Sequence, residues 1–170
     1  DRDAFAHFTL AVTLLSFGEL DAAIAEQRRA LALYPHFAAA AAELGRLLAF
    51  SGETDEARRL IDQAMTDSPT DPRRALWIFS LGIASFIDRR HADAAAHARS
   101  AITLRRDWFF NHLLLASSLA HLDDNLGARQ ALAEGLRLLP TLSLSALRAG
   151  HPFRRDADRT RYIEGLRAAG

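Results

Sequence analysis

The stretch 38–71, AAAAAELGRLLAFSGETDEARRLIDQAMTDSPTD, decides how the whole chain is read. Leu44-Gly45 stands midway along a first helical run, Leu48 follows one turn later, and Gly52 ends the run. Ala57, Ile61 and Ala64 then share one face of a second run, which Pro69 closes. Each type has a physical reason. The small residue after the leucine lets two antiparallel helices approach closely, and the alanines do the same from the other side. Glycine at the first helix end takes the left-handed cap conformation at little cost. Proline stops the second helix and starts the next turn.

Working outward, the same register recurs over 4–37, 38–71, 75–108 and 109–142, each 34 residues long, with Pro72-Arg73-Arg74 inserted between the second and third. The first segment has Leu10-Ala11, Leu14, Gly18, Ala23, Ala30 and Pro35; the fourth has Leu115-Ala116, Leu119, Ala128, Gly135 and Pro140. The third keeps Leu81-Gly82, Ala94 and Ala101, but Arg89 and Arg106 replace the turn glycine and closing proline. Asp21, Thr54 and Asp124 stand near second-helix starts, where a side-chain oxygen can cap free N–H groups.

A period of this length with these small-residue positions resembles the tetratricopeptide repeat family. The resemblance covers residues 4–142 and departs at the early first-helix aromatic, which is His7, Ala41, Ile78 and His112 in the four segments. It implies an all-α, right-handed α-solenoid of four helix hairpins over 1–142. A solenoid end exposes an apolar face unless capped, so 143–170 is expected to be a helical cap. That tail has a short helix around 142–147, then His151-Pro152-Phe153, then a last helix from a capping Asp156 to about Ala168, with Tyr162, Ile163 and Leu166 on one face. The run Phe153-Arg154-Arg155-Asp156-Ala157-Asp158-Arg159 with 162–170 is similar to the endings of bacterial class III adenylate/guanylate cyclases and winged-helix regulators that carry such arrays.

In the family, first helices line a concave groove. Carried onto this chain, the groove positions are Phe5, Phe8, Val12 and Leu15; Ala42, Arg46 and Phe50; Phe79, Ile83 and Phe86; and Phe110, Leu113, Ser117 and His121. Most are apolar, and a wet groove this apolar is costly and sticky. Three readings stay open: the groove holds an apolar peptide or helix face, the chain's own tail or another domain of the parent protein fills it, or part of it is core. Family members that clamp acidic chaperone C-termini use Lys and Asn where this chain has Phe8 and Val12; Arg46 alone makes no clamp.

Bulk composition narrows the function. The chain has 170 residues, with 21 basic and 21 acidic side chains and no net charge. That balance gives no general pull toward nucleic acid or an anionic membrane. Arg73-Arg74, Arg89-Arg90, Arg105-Arg106 and Arg154-Arg155 lie at repeat edges, diluted by acidic neighbours. With no cysteine, thiolate metal sites and cysteine nucleophiles are excluded. No phosphate loop, zinc-protease motif or nucleophile elbow is present. His91 and His97 point to different faces, His7 and His112 have no ligand one turn away, and His121 with Asp123 and Asp124 reads as a solvated turn. Glu19, Asp21, Glu53, Asp55 and Glu56 sit at turns without forming an acid–base couple. The first residue is Asp1, with no signal-peptide pattern after it, so we expect a cytoplasmic fragment of a longer protein. The expectation is a non-catalytic, cofactor-free protein-interaction module; the alternative is the homodimerising element of a transcriptional regulator.

Overall fold

The computed structural model describes residues 3–150 and 152–170, without the side chains of 148 and 149. Asp1 and His151, both used in reading the sequence, therefore lie outside the described residues. The helices are α1 (Ala4–Ser16), α2 (Leu20–Leu33), α3 (Ala38–Ser51), α4 (Thr54–Asp67), α5 (Arg74–Ile87), α6 (His91–Leu104), α7 (Phe109–Ala120), α8 (Asn125–Leu138), α9 (Leu144–Gly150) and α10 (Asp156–Ala169). The first eight form antiparallel hairpins, α1/α2, α3/α4, α5/α6 and α7/α8. Each hairpin stacks on the next through α2 on α3, α4 on α5 and α6 on α7, which makes an all-α solenoid.

The repeat register explains the hairpins. Ala23, Ala57, Ala94 and Ala128 occupy equivalent second-helix positions and are all fully buried. At Gly45 an added Cβ would lie 2.6 Å from Ile61 Cγ1 and 2.9 Å from the Ala57 carbonyl, so α3 and α4 touch where only glycine fits. Gly18 and Gly52 turn the chain with φ of 80° and 90°. In the third and fourth hairpins Arg89 and Asp123 take the same left-handed conformation, with φ of 61° and 60°. The turn geometry is thus kept without glycine, at the steric cost a Cβ brings there.

Some expected caps differ. Asp124 does cap α8, accepting from the Gly127 N–H at 2.9 Å. Thr54 is already inside α4, and its hydroxyl donates instead to Asp88 at 2.9 Å. Asp21 lies in the first turn of α2, and its carboxylate pairs with Arg154. Asp156 opens α10 as a helical residue bonded to Arg159 at 2.9 Å, while Arg155 holds the cap position. In each case a long-range or i+3 arginine or acid offers a stronger, charge-assisted partner than a backbone N–H. The short helix falls at Leu144–Gly150, slightly later than the sequence suggests.

Candidate functional site

The tail does more than close the last hairpin. From α9 the chain turns back across the first helices of the array. Phe153 is buried between Phe50 and Tyr162, with ring centroids 5.4 and 5.5 Å away. The Arg154 N–H donates to the Phe50 carbonyl at 3.1 Å, and its guanidinium pairs with Asp21. Arg155 lies so close over Gly52 that a Cβ there would be 2.6 Å from its Cζ. Arg161 then donates to the Ile87 carbonyl at 3.2 Å. Further along, α10 docks on α7 and α8. Ser117 donates to the Tyr162 carbonyl at 2.9 Å, and His121 Nε2 meets the Arg161 carbonyl at 2.9 Å. The approach is tight: a Cβ on Gly165 would stand 2.8 Å from the Ser117 carbonyl oxygen. One segment therefore touches all four hairpins.

This crossing corrects the groove expected from sequence. Phe50, Phe79, Phe86, Leu113 and Ser117 are buried, Phe79 in the main core and Phe50, Phe86 and Ser117 under the tail. Ala42 packs with Ile61, Trp77 and Leu81, and Ile83 is fully buried in the main core, so both are interior. His121 is half-buried, stacked on His91 with centroids 4.6 Å apart. Phe8 is half-buried against Phe37 at 5.2 Å, Leu15 is half-buried, and Phe5 and Val12 are exposed on α1. The physical reason is the apolar content of the groove: the chain covers most of it with its own aromatic and aliphatic side chains, and that removes the cost of leaving it wet.

On the α5 and α7 side of the crossing lies an apolar pocket of about 250 Å³. Four expected groove residues line it: Arg46, Phe50, Phe79 and Phe110. They are joined by Leu76, Trp108, Phe109, Leu142, Leu147 and Pro152, which the groove register does not include. The clustered run Trp108-Phe109-Phe110 at the start of α7 is the sequence signal that marks this wall. Phe79 meets the Trp108 ring edge-on at 4.8 Å, and Phe109 and Phe110 lie 4.1 Å apart. Among the described residues Arg46 supplies the one charge on the lining, and Glu43 answers it through Nε at 3.0 Å and through Nη2. The pocket is accordingly apolar and electrically balanced.

His7, His91, His112 and His121 each meet another group of the fold. His7 meets Glu26 at 2.5 Å, a partner 19 residues away that local spacing does not reveal. His112 Nε2 lies 2.9 Å from the Arg106 carbonyl. His91 faces His121 instead of His97. Burial, with His121, Arg161 and Arg89 nearby, lowers the His91 pKa to about 4. Among the described residues no three histidine or acidic side chains gather as a metal site. The basic edges are paired too, Arg73 with Asp71, Arg90 with Asp93 and Arg105 with Asp107. Among the described residues no helix is long and apolar enough to cross a membrane.

Comparison with known proteins agrees with this architecture. Residues 14–76 match the tetratricopeptide repeat family. No curated protein matches the chain in sequence. Among solved structures, PilF of Pseudomonas aeruginosa superposes with a TM-score of 0.71 at 24% identity, over 96% of this chain and 73% of that one. MamA of Desulfovibrio magneticus RS-1 gives 0.68 at 18%, over 84% and 79%. YrrB, described as a repeat protein of this type with an unusual peptide-binding site, gives 0.61 at 21%, over 99% and 85%. At these identities the likeness is one of fold. Residues 14–76 thus resemble tetratricopeptide repeat sequence, and the described residues have the fold of a helix-hairpin solenoid like those structures.

Proposed function

We propose that this chain is a non-catalytic protein-binding module, four helix hairpins closed by their own tail, and that the aromatic pocket beside the tail is where a partner peptide anchors. The observation that carries this is the pocket's size and lining. At about 250 Å³ it falls below the roughly 300–1,000 Å³ of sites that enclose whole small ligands. It suits one large apolar side chain presented by a longer segment. Phe79, Trp108 and Phe110 form rigid aromatic walls, which hold an apolar group at low entropic cost. Because Glu43 already neutralises Arg46, the site favours an uncharged anchor over a carboxylate. The peptide-binding site of YrrB supports this reading by analogy of fold.

The parent context is inferred from the tail sequence. On the similarity of 153–159 and 162–170 to regulator endings, the module would serve a bacterial signalling protein such as a cyclase or a winged-helix regulator in the cytoplasm, binding a protein or another domain of its parent.

The test is selection of displayed random peptides on the 170-residue chain, followed by titration of the selected peptides against tryptophan fluorescence in a Trp77→Phe background, where Trp108 is the one emitter. Enriched sequences should share one Leu, Met, Phe or Trp anchor and lose at least tenfold in affinity against Phe110→Ser. Enrichment of acidic C-termini, or equal binding to that variant, would refute the pocket as the site.

A further inference from the structure

The pocket is built from two halves of different origin. Its aromatic half belongs to the hairpins, where Phe79 is buried in the core and Trp108 packs on it edge-on at 4.8 Å. Its other half, Leu142, Ala146, Leu147, Gly150 and Pro152, follows the last hairpin in sequence. Most of that half lies on α9, a helix of 7 residues. Isolated helices shorter than roughly 12–15 residues are marginal in water, so α9 depends on what it packs against. Among the described residues that support is α10, and no hairpin helix meets α9 as extensively.

The strap fixes this second half from just outside the pocket. Pro152 is part of the lining, whereas Phe153 beside it is not. The Phe153 ring is instead seated between Phe50 and Tyr162. Phe50 is the junction: its ring both lines the pocket and receives Phe153, and its carbonyl accepts the Arg154 N–H at 3.1 Å. The remaining attachments are Arg154 to Asp21, Arg161 to the Ile87 carbonyl and Ser117 to the Tyr162 carbonyl. None of those groups lines the pocket. The tail half of the pocket is therefore held in place by contacts made elsewhere.

We propose that the strap is a conditional wall of the peptide site, so that docking of residues 152–163 on the hairpins and anchoring of a partner side chain in the pocket are thermodynamically linked. This rests on the reading of the pocket as a peptide anchor. With the strap docked, an apolar side chain is enclosed between the aromatic half and α9. With the strap released, the aromatic half is a one-sided surface, and the same side chain keeps part of its area in water. Apolar attraction scales with the area removed from water, so the released form binds more weakly. Linkage is reciprocal: an occupant that prefers the docked form holds the strap down by the same factor. Whatever loosens α10 then controls the site without touching it.

The first test needs no peptide. In the Trp77→Phe background, Phe153→Ala should make Trp108 at least twofold more accessible to acrylamide quenching, with the helicity of the hairpins kept. A peptide enriched in the selection above, capped at both ends and labelled with fluorescein, should bind that variant about tenfold more weakly, inside the roughly 5–150-fold range of such coupling. The reciprocal effect is read on the unsubstituted chain, where no variant can misfold. Saturating peptide should slow amide hydrogen exchange in α10 about tenfold, again within that range, and leave α4, which does not line the pocket, unchanged. Exchange slowed in α5 and α7 but not in α10 would overturn the proposal. So would Trp108 quenching, or peptide affinity, that is the same with and without Phe153→Ala. Failure of every peptide to bind would sink the peptide reading instead, and the quenching comparison would still decide whether the strap holds the wall.

Discussion

The two ends of this solenoid are finished in opposite ways. At the C-terminal end α10 covers α7 and α8, and Tyr162, Ile163 and Leu166 are buried to 2% exposure or less. At the N-terminal end α1 leaves Phe5, Leu10, Val12 and Phe17 between 41% and 79% exposed. Each end presents the outer face of a hairpin, which among the described residues is covered at one end and exposed at the other. One is covered within the chain by a helix that also straps the concave side, and the other is left uncharged. A repeat array distributes stability by nearest-neighbour contacts, so the strapped end should carry far more of it.

The largest expected effect breaks the strapped end. Tyr162 is fully buried among Phe86, Phe153 and the α7 helix. Replacing it with alanine should cost about 3–5 kcal/mol, as for other buried aromatic deletions, seen as a lower urea midpoint. Gly165→Ala is a smaller, sharper probe of the same contact. Its new methyl meets both the hydroxyl and the backbone of Ser117, and such overpacking costs about 1–3 kcal/mol. Proteolysis should then cut first near residue 150, if detachment of α10 is what the variant causes. Loss of stability with unchanged cleavage would place the strain elsewhere.

Gln27 sharpens the contrast from the other side. Its side chain is fully buried, and neither its amide nitrogen nor its oxygen has a hydrogen-bond partner among the described residues. The register positions that match it are Ile61, Ala98 and Leu132, all apolar and buried. Gln27→Leu should therefore stabilise the first hairpin by about 1–2 kcal/mol, because it removes an unpaired buried amide. A rise in melting temperature checks this, and a fall would mean that the amide has a role in packing.

Acid should loosen the strapped end. His91 stacks on His121 and meets the Phe86 ring at 4.9 Å, with Arg161 and Arg89 nearby. Its pKa is lowered from 6.5 to about 4 in the folded state. Between those values the unfolded chain holds more protons than the folded one, so stability falls as pH drops from about 6.5 toward about 4. Burial lowers the His97 pKa as well, in the same direction. Melting temperature measured across that window should slope less steeply in His91→Gln than in the unsubstituted chain. Equal slopes would assign the effect to other groups.

Much of this asymmetry is legible in the amino-acid sequence, and the reasons for the rest lie in contacts that sequence spacing does not encode. Period and small residues place the hairpins, because Gly45 and the equivalent alanines are positions where helix contact tolerates nothing larger. The cap is legible in Tyr162, Ile163 and Leu166, which recur at helical spacing. The strap is not. Phe153 reaches Phe50, and Arg154 reaches Asp21, across more than a hundred residues of sequence, and neither contact has a periodic signature. For the same reason the groove register identifies Phe86 and Ser117 correctly as first-helix positions but carries no sign that the tail lies on them. It also omits Trp108, which precedes α7 and enters the pocket from the loop.

The smallest expected effect lies at the open end and turns the comparison into a question about concentration. Phe17 ends α1 with almost all its ring in solvent, so Phe17→Ser removes little that folding buries. In dilute solution its stability should match that of the unsubstituted chain within about 0.5 kcal/mol, as for other exposed sites. At high concentration the two proteins should part. If the exposed face of α1 associates with another copy of the chain, the unsubstituted protein gains melting temperature with concentration, since association stabilises the folded state by mass action. Phe17→Ser should gain less. Parallel behaviour of the two at every concentration would mean that the exposed ring contributes to neither folding nor association, and that the uncharged face of α1 begins further from the helix end.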